Sequence, residues 1–278
     1  MRSTTAARTT AAPTTPGGSL VRRTAVAASA LSLALLVGAC GGSDDSSAEA
    51  DKNSGKSGDK TKASAAAKPA ADAAGATALP QAELEKLALA EGDVKNYKIA
   101  KASAADVAAG AGITTDNNAC TPLIDVLGLR PTGKPGASTP LRISSVPQKP
   151  AADAPPEDAL AALTSMTITA ETLSSYEGQG APEALEALRA AGKACAGGFT
   201  YTVGGEKTKV TKVVPAAYTA GDEAVAYTVT TDVEGEPTTS PLVAVRKDGL
   251  VAAFVAINLG GESKQPKDLI DAQVAKLG

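Results

Sequence analysis

From residue 199 to residue 258 the chain alternates apolar and polar side chains between tight turn signals, and this pattern leaves few folds open. Phe199, Tyr201 and Val203 alternate, Gly204-Gly205 offers a two-residue turn, and residues 207–214 follow. Val225, Tyr227, Val229, Thr231 and Val233 alternate over a long stretch that Glu234-Gly235-Glu236-Pro237 turns. Residues 242–246, the turn signal Asp248-Gly249 and residues 250–258 complete an antiparallel meander of about five strands. Earlier strand candidates are 141–146 and 166–173. Half-buried antiparallel strands need a cover on one face.

Amphipathic helices supply that cover. Pro80 opens a short one with Leu84, Leu87 and Ala88 on one face. Thr121-Pro122 reads as an N-cap followed by proline at the first helical position, and Gly128 ends that helix. Pro155-Pro156 starts another, with Leu160 and Leu163 inward. Ala181-Pro182-Glu183 starts the clearest, with acids in its first turn and Arg189 and Lys193 later, which suits the helix dipole. A last helix from about Pro266 carries Ile270, Val274 and Leu277. Residues 80–278 therefore read as a single α+β domain, an antiparallel β-meander sheet covered by amphipathic helices, and that length holds a real core.

The first 79 residues do not belong to that core. Residues 1–39 carry Arg2, Arg8, Arg22 and Arg23 and no acidic residue. An apolar run of 13 residues follows, Ala25 to Val37, too short for the roughly 20 residues of a membrane-spanning helix. A basic region before a short apolar one is the pattern of an export signal. The run ends in Leu36-Val37-Gly38-Ala39-Cys40, which resembles the bacterial lipobox. The expectation is a lipoprotein signal peptide over 1–39 and a mature chain whose Cys40 carries a diacylglycerol group and palmitate-type acyl chains. Two such chains suffice for stable anchoring, which places the protein on the outer face of the cell membrane. Arg22-Arg23 leaves the general and the twin-arginine export routes both open. Residues 41–79 are rich in Ala, Ser, Gly, Lys and Asp and bury too little apolar surface to offset their ordering entropy. They read as a disordered tether of roughly 35 Å mean span.

Cys120 and Cys195 are the remaining cysteines. One precedes a helix, and the other lies on the apolar stripe Leu185-Leu188-Gly192-Cys195. An exported protein with a single pair is expected to oxidise it. With the lipobox, the tether and Leu79-Pro80, several short motifs stand in a fixed order: Leu87-Ala88-Leu89, Gly92-Asp93-Val94, Tyr97, Cys120-Thr121-Pro122-Leu123, a helix ending in Cys195 before Phe199, and Gly221-Asp222 in the meander. This layout resembles the small exported lipoproteins of high-GC Gram-positive bacteria. More distantly it resembles the extracellular sensor domain of the actinobacterial PknH-type serine/threonine kinases. The resemblance implies a helix-covered antiparallel sheet, a cysteine clamp and a ligand cleft. Those sensor domains carry two disulfides, whereas this chain has cysteines for one.

The sequence contains no histidine. That excludes Ser-His-Asp and Cys-His hydrolases and the His-Glu-x-x-His zinc peptidases. Ser57 and Lys60 have the spacing of a Ser/Lys pair but fall in the tether. Asp106, Asp116, Glu157, Asp158, Glu171, Asp222 and Glu223 lie in no catalytic signature and read as solvated carboxylates. Asp116-Asn117-Asn118 lacks the glycine and distal glutamate of a calcium loop. No metal site and no cofactor is expected. The net charge of −3 becomes −7 once the four leader arginines are removed, which argues against a nucleic-acid partner. Residues 128–156 hold seven of the 17 prolines, and long irregular segments often form binding loops. The sequence thus points first to a monomeric, non-enzymatic envelope module that binds or senses a ligand, second to a partner-docking protein, and last to an enzyme. No ligand-binding residue is identified.

Replacing Cys40 with Ala should abolish metabolic labelling by a fatty-acid analogue and release the protein from membranes. Retention of the variant in the membrane fraction would make the apolar run an ordinary anchor.

Overall fold

The turns between the C-terminal strands carry the backbone geometry that tight hairpins demand. Gly204 and Gly205 have φ of +59° and +88°, and Glu234 and Gly235 have +56° and +91°. Two left-handed central residues match the right-handed twist of the strands they join. The structure is a computed structural model and describes residues 75–147, 155, 157, 161, 162, 164–258, 260 and 262–278. Cys40, the signal peptide, nearly all of the tether and the expected helix face of Leu160 and Leu163 lie outside the described residues.

Among the described residues there are nine strands: β1 (Tyr97–Lys101), β2 (Thr114–Thr115), β3 (Ala137–Ser145), β4 (Thr167–Ser175), β5 (Phe199–Val203), β6 (Glu206–Pro215), β7 (Glu223–Val233), β8 (Glu236–Lys247) and β9 (Leu250–Asn258). The helices are α1 (Gln81–Leu87), α2 (Ala104–Ala111), α3 (Thr121–Leu127), α4 (Gly180–Ala194) and α5 (Lys267–Leu277). All strands join one antiparallel sheet in the order β1-β3-β4-β9-β8-β7-β6-β5-β2. The fold is α+β, as the sequence indicates, and the meander from β5 to β9 is the one read from its alternation. The described part of the chain falls within one compact unit.

The sheet is covered on both faces rather than one. Strand β9 is buried from Leu250 to Ala256, and β8 from Ser240 to Arg246. Such continuous burial requires a helix layer on each side. On one face α3 and α4 bring Leu123, Ile124, Leu185 and Leu188 against Val225, Tyr227, Leu242, Val251 and Val255. On the other, α1 and α5 bring Leu84, Leu269 and Ile270 against Ile143, Leu173, Val243 and Phe254. Each fully buried leucine or isoleucine contributes about 1.5–3 kcal/mol of transfer free energy. Helix α4 lies very close to the sheet. A Cβ on Gly192 would overlap the Tyr227 ring, and the Tyr227 hydroxyl donates to the Leu188 carbonyl at 3.3 Å.

Several local details depart from the sequence reading. Thr121 is the first residue of α3 and Pro122 the second, because a 3-10 turn at Asn118–Cys120 runs straight into the helix. The Asn117 side chain caps that turn by accepting the Ala119 N–H at 3.1 Å. The tether reading extended to residue 79, but the chain already lies on the domain from Ala76. Its carbonyl accepts the Gly178 N–H at 2.8 Å, and the Leu79 N–H donates to Ser175 Oγ at 2.8 Å.

The structure joins Cys120 and Cys195 in a disulfide, with Cα atoms 5.9 Å apart and a sequence separation of 75. Both cysteines are fully buried where the start of α3 meets the end of α4. Replacing both with Ser should lower the unfolding free energy by about 4 kcal/mol, the loop-closure entropy of a crosslink of this span. Urea denaturation of the double variant beside the oxidised protein measures this directly.

Candidate functional site

Among the described residues, a groove of about 190 Å3 opens on the α3–α4 face, at the end of the sheet where β4 begins and β9 ends. One wall is the sheet itself. Ile168 and Ala170 of β4 stand beside Ile257 and Val255 of β9, and Ile168 pairs directly with Ile257. The sheet coils enough that Val203 at the end of β5 closes the same groove. The opposite wall is formed where α2 and α3 end together, by Gly110, Ile113, Leu127, Gly128 and Leu129. Ile257 keeps 41% of its surface exposed, so this apolar lining faces solvent. Among the described residues of the proline-rich stretch 128–156, Gly128, Leu129 and Arg142 line the groove.

Two close contacts hold the helical wall. A Cβ on Gly110 would overlap the Gly128 carbonyl oxygen, so glycine lets the two helix ends touch through their backbones. Arg130 then ties them together. Its guanidinium donates to the Gly110 carbonyl and, at 2.9 Å, to Asp125. Burial pushes the Asp125 carboxyl above the ordinary aspartate range even with Arg130 beside it. After Gly128 the chain makes a Schellman turn. The Arg130 N–H bonds the Asp125 carbonyl at 2.8 Å and the Leu129 N–H bonds the Val126 carbonyl at 3.3 Å. The left-handed position of that turn, normally glycine, is occupied by Leu129 with φ of +56°. A bulky residue there costs of order 1 kcal/mol or more, and its side chain lines the groove.

The rim is charged. Ser103 and Asp106 form a reciprocal capping box at the start of α2, and Asp106 also pairs with Arg142 of β3 at 3.0 Å. The Ser103 hydroxyl, then its backbone N–H and the Arg142 charge, hold the Asp106 carboxyl below its usual range. The Arg142 side chain remains half exposed at the mouth of the groove. The Ser103-x-x-Asp106 spacing marks a helix start, and it was the available signal for α2, which the sequence reading missed. Leu129, Ile168 and Ile257 carry no such local mark.

Of the described carboxylates singled out in the sequence, Asp106 alone lines this groove, and Asp158 lies outside the described residues. Asp116 accepts the Thr200 N–H at 3.0 Å. Asp222 and Glu223 surround Arg246, at 3.2 Å each, and Glu223 also takes Arg189 of α4 at 2.5 Å. That network fastens α4 to the β7–β8 ladder and explains the Gly221-Asp222 motif structurally. Glu171 is the exception to the expectation of solvated acids. It is fully buried on the α1–α5 face between Leu141 and Phe254, with neither carboxyl oxygen hydrogen-bonded. Burial pushes its carboxyl up to about 8, against the opposing influence of the Lys276 charge. Its sequence parity with Leu173 was the signal that it faces the core.

Because the folded form holds the Glu171 proton more tightly than an unfolded chain with the ordinary value of 4.5, it binds more protons between these values. Stability is unpenalised below about pH 4.5 and falls as pH rises towards about 8. The penalty is on the order of 4 kcal/mol when fully developed. Glu171→Gln should flatten this slope and be more stable than the parent at pH 8. Denaturation midpoints of both proteins from pH 5 to pH 9 check it.

No protein-family model matches the sequence, and no curated protein matches it. Among solved structures, the extracellular domain of PknH from Mycobacterium tuberculosis is similar over 73% of this chain and 96% of that one, at 13% identity and a TM-score of 0.47. The likeness is distant.

Proposed function

We propose that this protein is a non-enzymatic binding module of the bacterial cell envelope, tethered to the outer face of the membrane by lipid on Cys40, and that its groove receives the apolar part of a small amphiphile. The observation that carries this reading is the groove. Its walls are apolar on three sides, one wall residue sits in an unfavourable backbone conformation, and a half-exposed arginine stands at the mouth. Binding sites are typically apolar hollows with a few placed polar groups, and strained residues cluster in them. Arg142 offers its outer face to an anionic head group, while Asp106 holds its inner side. The catalytic routes that need histidine are closed to this chain.

A tether and a lipid anchor suit this role, because they keep a compact domain within reach of amphiphiles at the membrane surface. Among the described residues no helix is long and apolar enough to cross a membrane, so the anchoring reading rests on the leader and Cys40. Octanoate is a suitable probe. It should bind more tightly than octylammonium by calorimetry, and Ile257→Asp should weaken it at least tenfold with little change in the thermal midpoint. Equal binding of both head groups, or octanoate binding that ignores Ile257→Asp, would remove the groove from the function.

A further inference from the structure

On the opposite face of the sheet, a second hollow of about 220 Å3 opens between the ends of β1, β3, β4 and β9 and the stretch leading into α5. Its chemistry is the reverse of the groove's. Tyr97, Ser145, Thr167 and Thr169 bring hydroxyls to its wall and Gln265 an amide, while the Asn258 amide is spent on Ser165, Thr167 and Gly260. It is smaller than the roughly 300–1,000 Å3 of sites for drug-sized molecules, so its occupant is small.

Glu171 is the next residue in this row. Thr167, Thr169 and Glu171 alternate onto one face of β4, and same-face neighbours on a strand stand about 6.6 Å apart. Thr169 forms part of the hollow's wall, and the Glu171 carboxyl lies beyond it with no partner. Native proteins leave very few buried polar groups unpaired, and such a group calls for an explanation. The surroundings carry a surplus of acid. Glu262 lines the hollow, and the Asp268 charge acts on Tyr97, helping burial to raise its hydroxyl. Of the bases, Lys264 lines the hollow, whereas Lys276 of α5 is held by Asp93 at 2.6 Å. A hydroxyl-rich wall beside an unpaired carboxyl within an acidic surround fits a ligand with both hydroxyl groups and a positive charge.

We propose that this hollow binds a small hydroxylated primary amine, with its hydroxyls on the Ser145–Thr167–Thr169–Tyr97 wall and its ammonium on Glu171. Glu171 is fully enclosed in the free protein and does not itself line the hollow, so this contact requires its side chain to turn towards Thr169. In the free protein Glu171 holds a proton at neutral pH, because burial raises its carboxyl to about 8. An adjacent ammonium favours the carboxylate, so the proton passes to buffer as the ion pair forms. Each bound ligand therefore releases up to one proton. This site is separate from the groove, and loss of octanoate binding leaves it standing.

Glucosamine and glucose are matched probes that differ by an ammonium in place of one hydroxyl. Calorimetry on the full chain at pH 6.5, in buffers of different ionisation enthalpy, measures affinity and proton release together. Glucosamine should bind at least tenfold more tightly than glucose and release close to one proton. Glu171→Gln should bring the two sugars to equal affinity and abolish the release. Equal affinities in the unaltered protein, absence of glucosamine binding, or glucosamine binding without proton release would each overturn the proposal. The proton count is read on the unaltered protein, so the test does not depend on how the variant folds.

Discussion

The two-sided burial of β8 and β9 governs the rest of the structure. Leu242, Ala244, Val251, Ala253 and Val255 point to one face, while Val243, Val245, Ala252 and Phe254 point to the other. A sheet whose centre is apolar on both sides cannot leave either side to water. It recruits α3 and α4 to one face and α1 and α5 to the other. The many alanines in these strands keep the layers close, as does Gly192 against Tyr227.

Each helix layer is then fastened by a few polar or covalent ties. On one face the disulfide links the start of α3 to the end of α4, and the Arg189–Glu223–Arg246 network holds α4 to the sheet. On the other, the buried Gln273 of α5 accepts the Leu89 N–H at 3.0 Å and donates to the Leu87 carbonyl at 2.8 Å. That amide satisfies backbone groups at the end of α1 and just beyond it, which would otherwise lack partners. The exposed β1 edge is managed similarly, with Glu91 accepting the Ile99 N–H at 2.8 Å, which occupies part of an edge open to another strand.

The two hollows arise from one strand. Alternation along β4 sends Ile168 and Ala170 into the apolar groove and Thr167 and Thr169 into the polar hollow. Both lie where the sheet's end outruns its helix layers, so neither interrupts the core. Each is accompanied by a local cost, the left-handed backbone of Leu129 beside the groove and the unpaired Glu171 beside the hollow. Sequences otherwise consistent with their fold concentrate such exceptions at functional sites.

The sequence by itself determined the elements whose signals are local. Alternation and turn chemistry defined β5 to β9, proline and charge placement defined α4 and α5, and two cysteines in a chain read as exported implied their pairing. The lipobox-like end at Cys40 is also a short contiguous pattern, and it lies outside the described residues. Tertiary structure alone decided what depends on residues far apart meeting. The second helix layer follows from β8 and β9 lying at the sheet's centre, and strand order is not written in any one strand. The groove needs Leu129, Val203, Ile168 and Ile257 to converge from four segments, which the coil of the sheet accomplishes. Parity with Leu173 puts Glu171 on the core-facing side of its strand, but only α1 and α5 closing over that face bury it, because burial is a property of the neighbours and not of the residue.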